Sequence, residues 1–180
     1  MTLVSAVNLS FSLFTIIAQA IILLNIISFF INRNKKIISF FSKKAFFFSL
    51  IISLTATIGS FFYSEITDFE PCKLCWLQRI FMYPQIIILS AAILTKKNEK
   101  IITYISLILS IIGIIIAGYH YLYQLNIAPE FYCSKNNYSS ISCSQVFVKQ
   151  FGYITIPMMS LTAFSFIVVL MIFRLKNKQY

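Results

Sequence analysis

Four cysteines occur in the 180-residue chain as two separated pairs, and their thiols carry the most evident chemistry. Cys72 and Cys75 form a Cys-x-x-Cys motif, whereas Cys133 and Cys143 are separated by nine intervening residues in a polar segment. Two thiols at the Cys-x-x-Cys spacing can close a small, easily reduced disulfide, and amides at a helix start would stabilise the thiolate of the first cysteine. The two pairs therefore predict thiol–disulfide chemistry in an oxidising compartment.

Zinc binding and structural crosslinking are the other uses of such cysteines. A structural zinc site of four thiolates usually spaces both pairs by two to four residues. The wide spacing of Cys133 and Cys143 argues against that site, so no metal is predicted. A thioredoxin fold needs a soluble βαβ unit, for which no sequence is left. A disulfide that only staples a loop stays open as an alternative.

The composition places these thiols in a membrane protein. Hydrophobic residues make up 59% of the chain and charged residues 11%, against about 45–50% and 25% in soluble domains. A membrane-spanning helix needs about 20 apolar residues. Five runs meet that length, and they predict an all-α membrane protein: Phe11–Ile31, Ala45–Ser64, Trp76–Leu94, Ile101–Tyr123 and Gly152–Phe173. The first run is interpreted as a spanning helix rather than a signal peptide, because no basic residue precedes it.

The basic residues predict the orientation in the membrane and explain the net charge of +10 without nucleic-acid binding. Eleven of the 15 Lys and Arg residues fall in three segments that alternate with the others. The positive-inside rule makes these segments cytoplasmic and puts both cysteine pairs on the outer side. The eleven residues are Arg33, Lys35, Lys36, Lys43, Lys44, Lys96, Lys97, Lys100, Arg174, Lys176 and Lys178.

Two segments resemble a known family. The run from Pro71 to Pro84, Pro-Cys-Lys-Leu-Cys-Trp-Leu-Gln-Arg-Ile-Phe-Met-Tyr-Pro, is similar to the signature of the DsbB/BdbC disulfide bond formation proteins. The segment 152–161, Gly-Tyr-Ile-Thr-Ile-Pro-Met-Met-Ser-Leu, resembles the last helix of that family. The resemblance covers about residues 45–173 and implies a four-helix redox domain at residues 45–180. Residues 1–44 then add an N-terminal transmembrane helix and a basic cytoplasmic loop.

The resemblance also implies an activity and a location. A protein of this kind is a quinone-dependent thiol:disulfide oxidoreductase of the bacterial inner membrane, with both cysteine pairs on the periplasmic side. A reduced periplasmic thioredoxin-fold (DsbA-like) thiol oxidase would attack the Cys133–Cys143 disulfide, with Cys133 forming the mixed disulfide. Electrons would then pass to Cys72 and Cys75, and from Cys75 to ubiquinone or menaquinone.

Three further residues are expected at the quinone on the same resemblance. Arg79 lies four residues after Cys75, on the same helix face, and a charge within an apolar run is costly enough to suggest a function. A snorkelling arginine is its alternative. His120, the only histidine, is another expected quinone contact, with an interfacial or core histidine as its alternative. Gln124, one turn later on the same face, could donate to a quinone carbonyl. The alternative functions are a vitamin K epoxide reductase-like quinone reductase and a structural protein with stapling disulfides.

Overall fold

The fold was analysed in a computed structural model that describes residues 3–31, 35–129 and 142–177. Within those ranges the chain is helical, and its only strand-like feature is an isolated bridge between Gln150 and Ile154. The α-helical prediction is thereby confirmed. The helices are α1 (Leu3–Ile31), α2 (Lys35–Lys43), α3 (Ala45–Phe61), α4 (Lys73–Thr95), α5 (Glu99–Gln124) and α6 (Ile156–Asn177), and a π-helical turn, Phe62–Ile66, extends α3.

Five helical segments are long and apolar enough to cross a membrane, as the five apolar runs predict. They are Leu3–Ser28, Ala45–Ile66, Lys73–Thr95, Glu99–Gln124 and Ile156–Lys176. The short helix α2 lies between the first two spans, where the sequence indicated only a basic loop. The last helix begins at Ile156 rather than Gly152, because Phe151 and Gly152 take positive φ angles of 51° and 80° in a turn.

Helix α6 supplies the centre of the packed interior. Phe164, Ile167 and Leu170 are each at most 1% exposed and belong to the main core cluster. Helix α5 approaches α6 closely at Gly113, where an added Cβ would lie 2.5 Å from the ring of Phe164. Small residues permit such close approach between membrane helices, and Ala117, one turn later, is also fully buried.

A buried polar group joins α4 to α5. Gln85 is fully buried, and its Oε1 accepts hydrogen bonds from the hydroxyls of Ser106 (3.0 Å) and Ser110 (3.3 Å). Its amide nitrogen donates to the carbonyl of Phe81 at 3.3 Å. Each interhelical hydrogen bond of this kind contributes on average only about 0.6 kcal/mol to the stability of a membrane protein. Their main effect here is to leave no polar atom of Gln85 unpaired in an apolar interior.

Arg174 contacts three other segments at one end of the bundle. Its guanidinium pairs with Glu99 (3.1 Å) at the start of α5 and donates to the carbonyl of Ser42 (3.1 Å) near the end of α2. It also lies 3.9 Å from the ring centroid of Phe46. The basic segments around residues 43, 97 and 176 are thus neighbours, as their assignment to one side of a membrane requires. Helix α4 runs from this end back to Cys72, so the Cys-x-x-Cys motif lies at the opposite end.

Polar contacts fix α1 to the other helices. The hydroxyl of Tyr63 donates to Asn8 Oδ1 at 2.9 Å. Further along α1, the amide nitrogen of Gln19 donates to Thr162 Oγ1 at 3.1 Å, and its Oε1 accepts from the Tyr153 hydroxyl at 3.0 Å. Helix α1 is therefore packed against α6 and the end of α3.

Candidate functional site

Cys72 is the N-cap residue of α4. Its backbone is extended (φ −67°, ψ 170°), and its Sγ accepts a hydrogen bond from the Cys75 amide at 3.4 Å. N-cap side chains that accept such bonds satisfy one of the free amides of the first helical turn. The partial positive charge of the helix start favours an anion at this position. The fold therefore places the first cysteine of the motif where a thiolate is stabilised.

The two thiols of the motif lie in contact. Cys72 Sγ and Cys75 Sγ are 3.2 Å apart, and Cys72 is 6% exposed. The hydrogen bond from the Cys75 thiol lowers the pKa of the Cys72 thiol well below its usual range, and the nearby His120 lowers it further, although burial acts in the opposite direction. Of the two thiols, Cys72 is therefore the one that these contacts favour as a thiolate.

His120 connects the two cysteine pairs. Its Nδ1 lies 3.0 Å from the amide nitrogen of Gln78, and an amide nitrogen can only donate a hydrogen bond. Nδ1 is therefore the acceptor, and the proton of the neutral ring is on Nε2. Nε2 lies 3.2 Å from the carbonyl oxygen of Cys143 and 3.8 Å from Cys72 Sγ. One N–H group thus faces both the loop cysteine and the thiolate of the motif.

Cys143 belongs to the second cysteine pair and packs against the first. It is disulfide-bonded and 2% exposed, and it forms a small buried cluster with Cys72, Leu74 and Tyr123. Cys133, its expected partner, lies outside the described residues. The loop that carries Cys143 is therefore folded onto the start of α4.

A small cavity lies between the two pairs. It has a volume of about 20 Å³, room for about one water molecule, and five of the seven predicted site residues line it. They are Cys72, Cys75, His120, Gln124 and Cys143. The amide nitrogen of Gln124 donates to the carbonyl of Gln145 at 3.2 Å, which ties α5 to the loop after Cys143.

A second, much larger cavity begins on the other side of Cys75. It measures about 630 Å³, within the range of ligand pockets, and lies between α1, α3, α4 and α6. Cys75, Gln78 and Arg79 line one end of it, and most of the remaining lining is apolar. Cys75 and Arg79 thus share a face of α4, as their spacing predicts. His120 and Gln124 do not line this cavity.

Arg79 is held by α3 and by its own helix. Its Nη2 donates to the carbonyl of Ser60 at 3.0 Å, and its guanidinium carbon lies 5.2 Å from the ring centroid of Trp76. The same carbonyl accepts a bond from the Ser64 hydroxyl at 3.2 Å. Ser60 closely precedes the π-helical turn Phe62–Ile66, and such turns change the usual backbone pairing and often occur at functional sites.

A metal ion has one candidate set of ligands in the described part of the chain. Cys72 Sγ, Cys75 Sγ and a ring nitrogen of His120 lie within 4.8 Å of one another. These soft and borderline ligands suit zinc or copper(I). The four-thiolate site considered from the sequence does not fit, because Cys143 is disulfide-bonded.

Gln78 is the residue whose place at the site the sequence did not reveal. Its side chain makes a helix–helix hydrogen bond to His120 on α5. The choice of partner depends on how α4 and α5 are rotated against each other. No pattern within either helix records that rotation.

Five candidate spans in the described residues, and the packing of Cys143 against the Cys-x-x-Cys motif, define a helical, multi-pass membrane protein with cysteines placed for thiol–disulfide chemistry. The family model for "Disulfide bond formation protein DsbB" matches residues 42–174, and this chain belongs to that family of disulfide-forming membrane proteins.

Three curated relatives illustrate the similarity. The SPbeta prophage-derived disulfide bond formation protein B of Bacillus subtilis is 45% identical over 125 residues, which cover 69% of this chain and 81% of the relative. Disulfide bond formation protein C of the same organism is 41% identical over 123 residues, covering 68% and 86%. A probable disulfide formation protein of Chlamydia caviae is 37% identical over 137 residues, covering 75% and 94%. No solved structure gives a significant match.

Proposed function

We propose that this protein reoxidises a periplasmic thioredoxin-fold thiol oxidase and passes the electrons to a membrane quinone. The observation that supports this most is the position of Cys75. It lines both the small cavity shared with Cys143 and the large apolar cavity that holds Arg79. One thiol therefore borders the loop cysteine on one side and a space suited to a lipid-soluble acceptor on the other.

Residues 45–180 form the four-helix redox domain in this proposal, and residues 1–44 supply an additional transmembrane helix and a basic cytoplasmic segment. The match of the family model from residue 42 onward supports that division. The protein lies in the bacterial inner membrane with both cysteine pairs on the periplasmic side. The position of the basic segments at the end opposite Cys72 supports this orientation.

The first exchange takes place in the loop. A thiolate of the reduced partner attacks Cys133 in the Cys133–Cys143 disulfide, forming a mixed disulfide and releasing Cys143 as a thiolate. The second thiol of the partner then breaks the mixed disulfide. The partner leaves with its own disulfide, and two electrons and two protons remain on this chain.

The second exchange joins the two pairs. The Cys143 thiolate attacks Cys72 in a Cys72–Cys75 disulfide, and Cys75 leaves as a thiolate. The packing of Cys143 against Cys72 supports this choice of sulfur. Cys133 then attacks Cys143 and restores the loop disulfide, so that the net product is the reduced Cys72–Cys75 dithiol. The Nε2–H group of His120 faces the thiolate of Cys72 in that product.

The volume and the mainly apolar lining of the large cavity support a quinone as its occupant. When bound, the quinone would supply the two-electron, two-proton acceptor that allows Cys72 and Cys75 to return to the disulfide. Arg79 is the charged donor at the Cys75 end of the cavity and is positioned by Ser60 and Trp76. His120 and Gln124 line only the small cavity, so their expected contact with the ring has less support than that of Arg79.

The proposal is tested by quinone reduction. Purified protein in lipid vesicles is mixed with a reduced thioredoxin-fold oxidase and either ubiquinone or menaquinone, and quinone absorbance is followed. We expect catalytic loss of the quinone spectrum with one partner disulfide formed per quinone. Cys75→Ser should abolish it. A wild-type protein that oxidises the partner with neither quinone would contradict the assigned acceptor.

Trapping of the mixed disulfide tests the partner step by itself. Replacing the second thiol of the partner with alanine removes the group that breaks the mixed disulfide. The wild-type protein should then accumulate a covalent complex with this thioredoxin-fold oxidase, linked through Cys133, on a non-reducing gel. A disulfide that only staples the loop predicts no such complex, and a Cys133→Ala variant is the matched control.

A further inference from the structure

The large cavity is partly walled by a helix that lies outside the part of the chain matched by the family model. That match begins at residue 42, whereas α1 ends at Ile31. Six side chains of α1 nevertheless line the cavity: Phe11, Phe14, Thr15, Ile17, Ala18 and Ile21. The size and shape of this space therefore depend on the N-terminal helix as well as on the redox domain.

The stretch of α1 that lines the cavity is held in place near both of its ends. At the end near the cysteines, the ring of Phe11 packs on Gly59, where an added Cβ would lie 3.1 Å from the ring, and Tyr63 bonds to Asn8. Further along, the side chain of Gln19 is bonded to both Thr162 and Tyr153. Helix α1 is thus fixed against the bundle near both ends of the stretch that faces the cavity.

The two ends of the cavity differ in polarity. Cys75 and Arg79 lie at one end, and the stretch of α1 from Ile17 to Ile21 borders the apolar part. Phe14 and Ile17 line the cavity and are 63% and 55% exposed, so neither side chain is covered by the other helices. In a membrane, lipid acyl chains would be available as neighbours of these apolar side chains. A molecule with a polar reactive head and a long apolar tail matches this arrangement.

We propose that α1 binds the isoprenoid tail of the quinone and thereby sets the selectivity of this protein for long-tailed carriers. This inference rests on the proposed quinone reductase function and adds to it a tail-binding wall built from Phe14, Ile17, Ala18 and Ile21. The head of the carrier lies toward Cys75 and Arg79, and the tail leaves along α1 into the lipid. Because lipid is as apolar as the tail, the binding free energy of the tail comes from van der Waals fit against these side chains.

Ala18 offers a direct test, because a larger side chain there fills the cavity. Ala18→Phe is compared with Ala20→Phe, which places the same ring on the exposed side of α1, away from the cavity. Each variant is assayed with two acceptors of the same ring structure, one with its full isoprenoid tail and one with a methyl group in place of the tail. Partner-driven reduction of the loop disulfide, measured without quinone, reports whether each variant is folded.

Ala18→Phe should raise the KM for the long-tailed quinone by about tenfold or more, as pocket fit typically allows, and change the KM for the tailless quinone by less than about twofold. Ala20→Phe should leave both values unchanged. If Ala18→Phe does not fold, Ala18→Leu and Ala20→Leu provide the same comparison with a smaller, aliphatic side chain. Equal effects at residues 18 and 20, or on both quinones, would overturn the role of α1. A wild-type protein that reduces neither quinone would instead overturn the proposed function.

Discussion

The amide nitrogen of Gln78 lies 3.0 Å from Nδ1 of His120, within the interface of α4 and α5. Both residues are buried, at 7% and 2% exposure. An amide nitrogen only donates, so this contact assigns the ring proton to Nε2. Nε2 in turn faces Cys143 and Cys72. Gln78 therefore acts as a positioning residue for the histidine that lies between Cys143 and Cys72.

The tautomer of His120 is directly measurable, because this is the only histidine in the chain. Protein labelled with ¹⁵N-histidine should show the Nε2–H form in the native state. Gln78→Glu replaces the donor with an acceptor and should shift the ring toward a form protonated on Nδ1. It should also slow exchange between the two cysteine pairs. A native spectrum of the Nδ1–H form would contradict the assignment, whatever the activity of the variant.

The depressed pKa of Cys72 predicts a pH dependence. A thiolate with a lowered pKa is present above that pKa and is lost only as the pH falls through it. Alkylation of Cys72 in the reduced protein should therefore persist at pH values where an ordinary thiol, with a pKa of about 8.5, is protonated and unreactive. The rate of iodoacetamide modification at Cys72, resolved by mass spectrometry from pH 5 to 9, checks this. A reactivity midpoint near 8.5 would contradict it.

Two variants of Cys75 separate the causes of that shift. Cys75→Ser keeps a hydroxyl that donates to Cys72, whereas Cys75→Ala removes the donor that has the largest lowering effect. The reactivity midpoint of Cys72 should rise in the alanine variant above that of the serine variant. Identical midpoints would assign the shift to the helix start and His120 instead.

The sequence predicted those structural features that the membrane thickness or the geometry of a single helix determines. Length and hydropathy fix five spans, and an i, i+4 spacing on a helix puts Cys75 and Arg79 on one face. A Cys-x-x-Cys motif before an apolar run predicts a stabilised thiolate at a helix start, and Cys72 is indeed the N-cap of α4. These features are local to one segment of the chain.

Relations between segments were beyond the sequence because they depend on how each helix is rotated. In an apolar bundle nearly every face of a helix is hydrophobic, so periodicity does not say which face meets which neighbour. The contact of Gln78 with His120 across α4 and α5, and the lining of the large cavity by α1, are relations of this kind. The start of α6 at Ile156 likewise follows from the turn at Phe151 and Gly152.

The proposed role of Arg79 in quinone binding can be tested by substitution. Arg79→Ala should raise the KM for quinone and lower kcat/KM by roughly 10–100-fold, the equivalent of about 1.5–3 kcal/mol for a hydrogen bond to a charged group. Insertion into the membrane and reduction of the loop disulfide by the partner should be unchanged. Arg79→Lys keeps the charge but loses the planar fork bonded to Ser60, so an intermediate effect is expected. Unchanged quinone dependence in the alanine variant would remove Arg79 from the acceptor site.

Two glycines of α5 form a matched pair for stability. An added Cβ would lie 2.5 Å from Phe164 at Gly113 but meets nothing within 4 Å at Gly118. Gly113→Ala should destabilise the bundle by about 1–3 kcal/mol through overpacking. Gly118→Ala should be neutral or slightly stabilising, because alanine favours helix. Thermal unfolding in detergent measures both, and Gly113→Ala combined with Phe164→Leu should recover part of the loss if the clash is the cause.

The orientation in the membrane is tested by labelling single introduced cysteines in a background where the four native cysteines are serine. Lys97 lies in the basic turn between α4 and α5, and Ile127 follows the other end of α5, where it is 68% exposed. A membrane-impermeant maleimide should label Ile127→Cys in intact cells and Lys97→Cys only after lysis, since the basic end of the bundle faces the cytoplasm. The opposite pattern would put the dithiol of Cys72 and Cys75 in a reducing compartment. The relay from a secreted oxidase to the quinone would then have no access to its first disulfide.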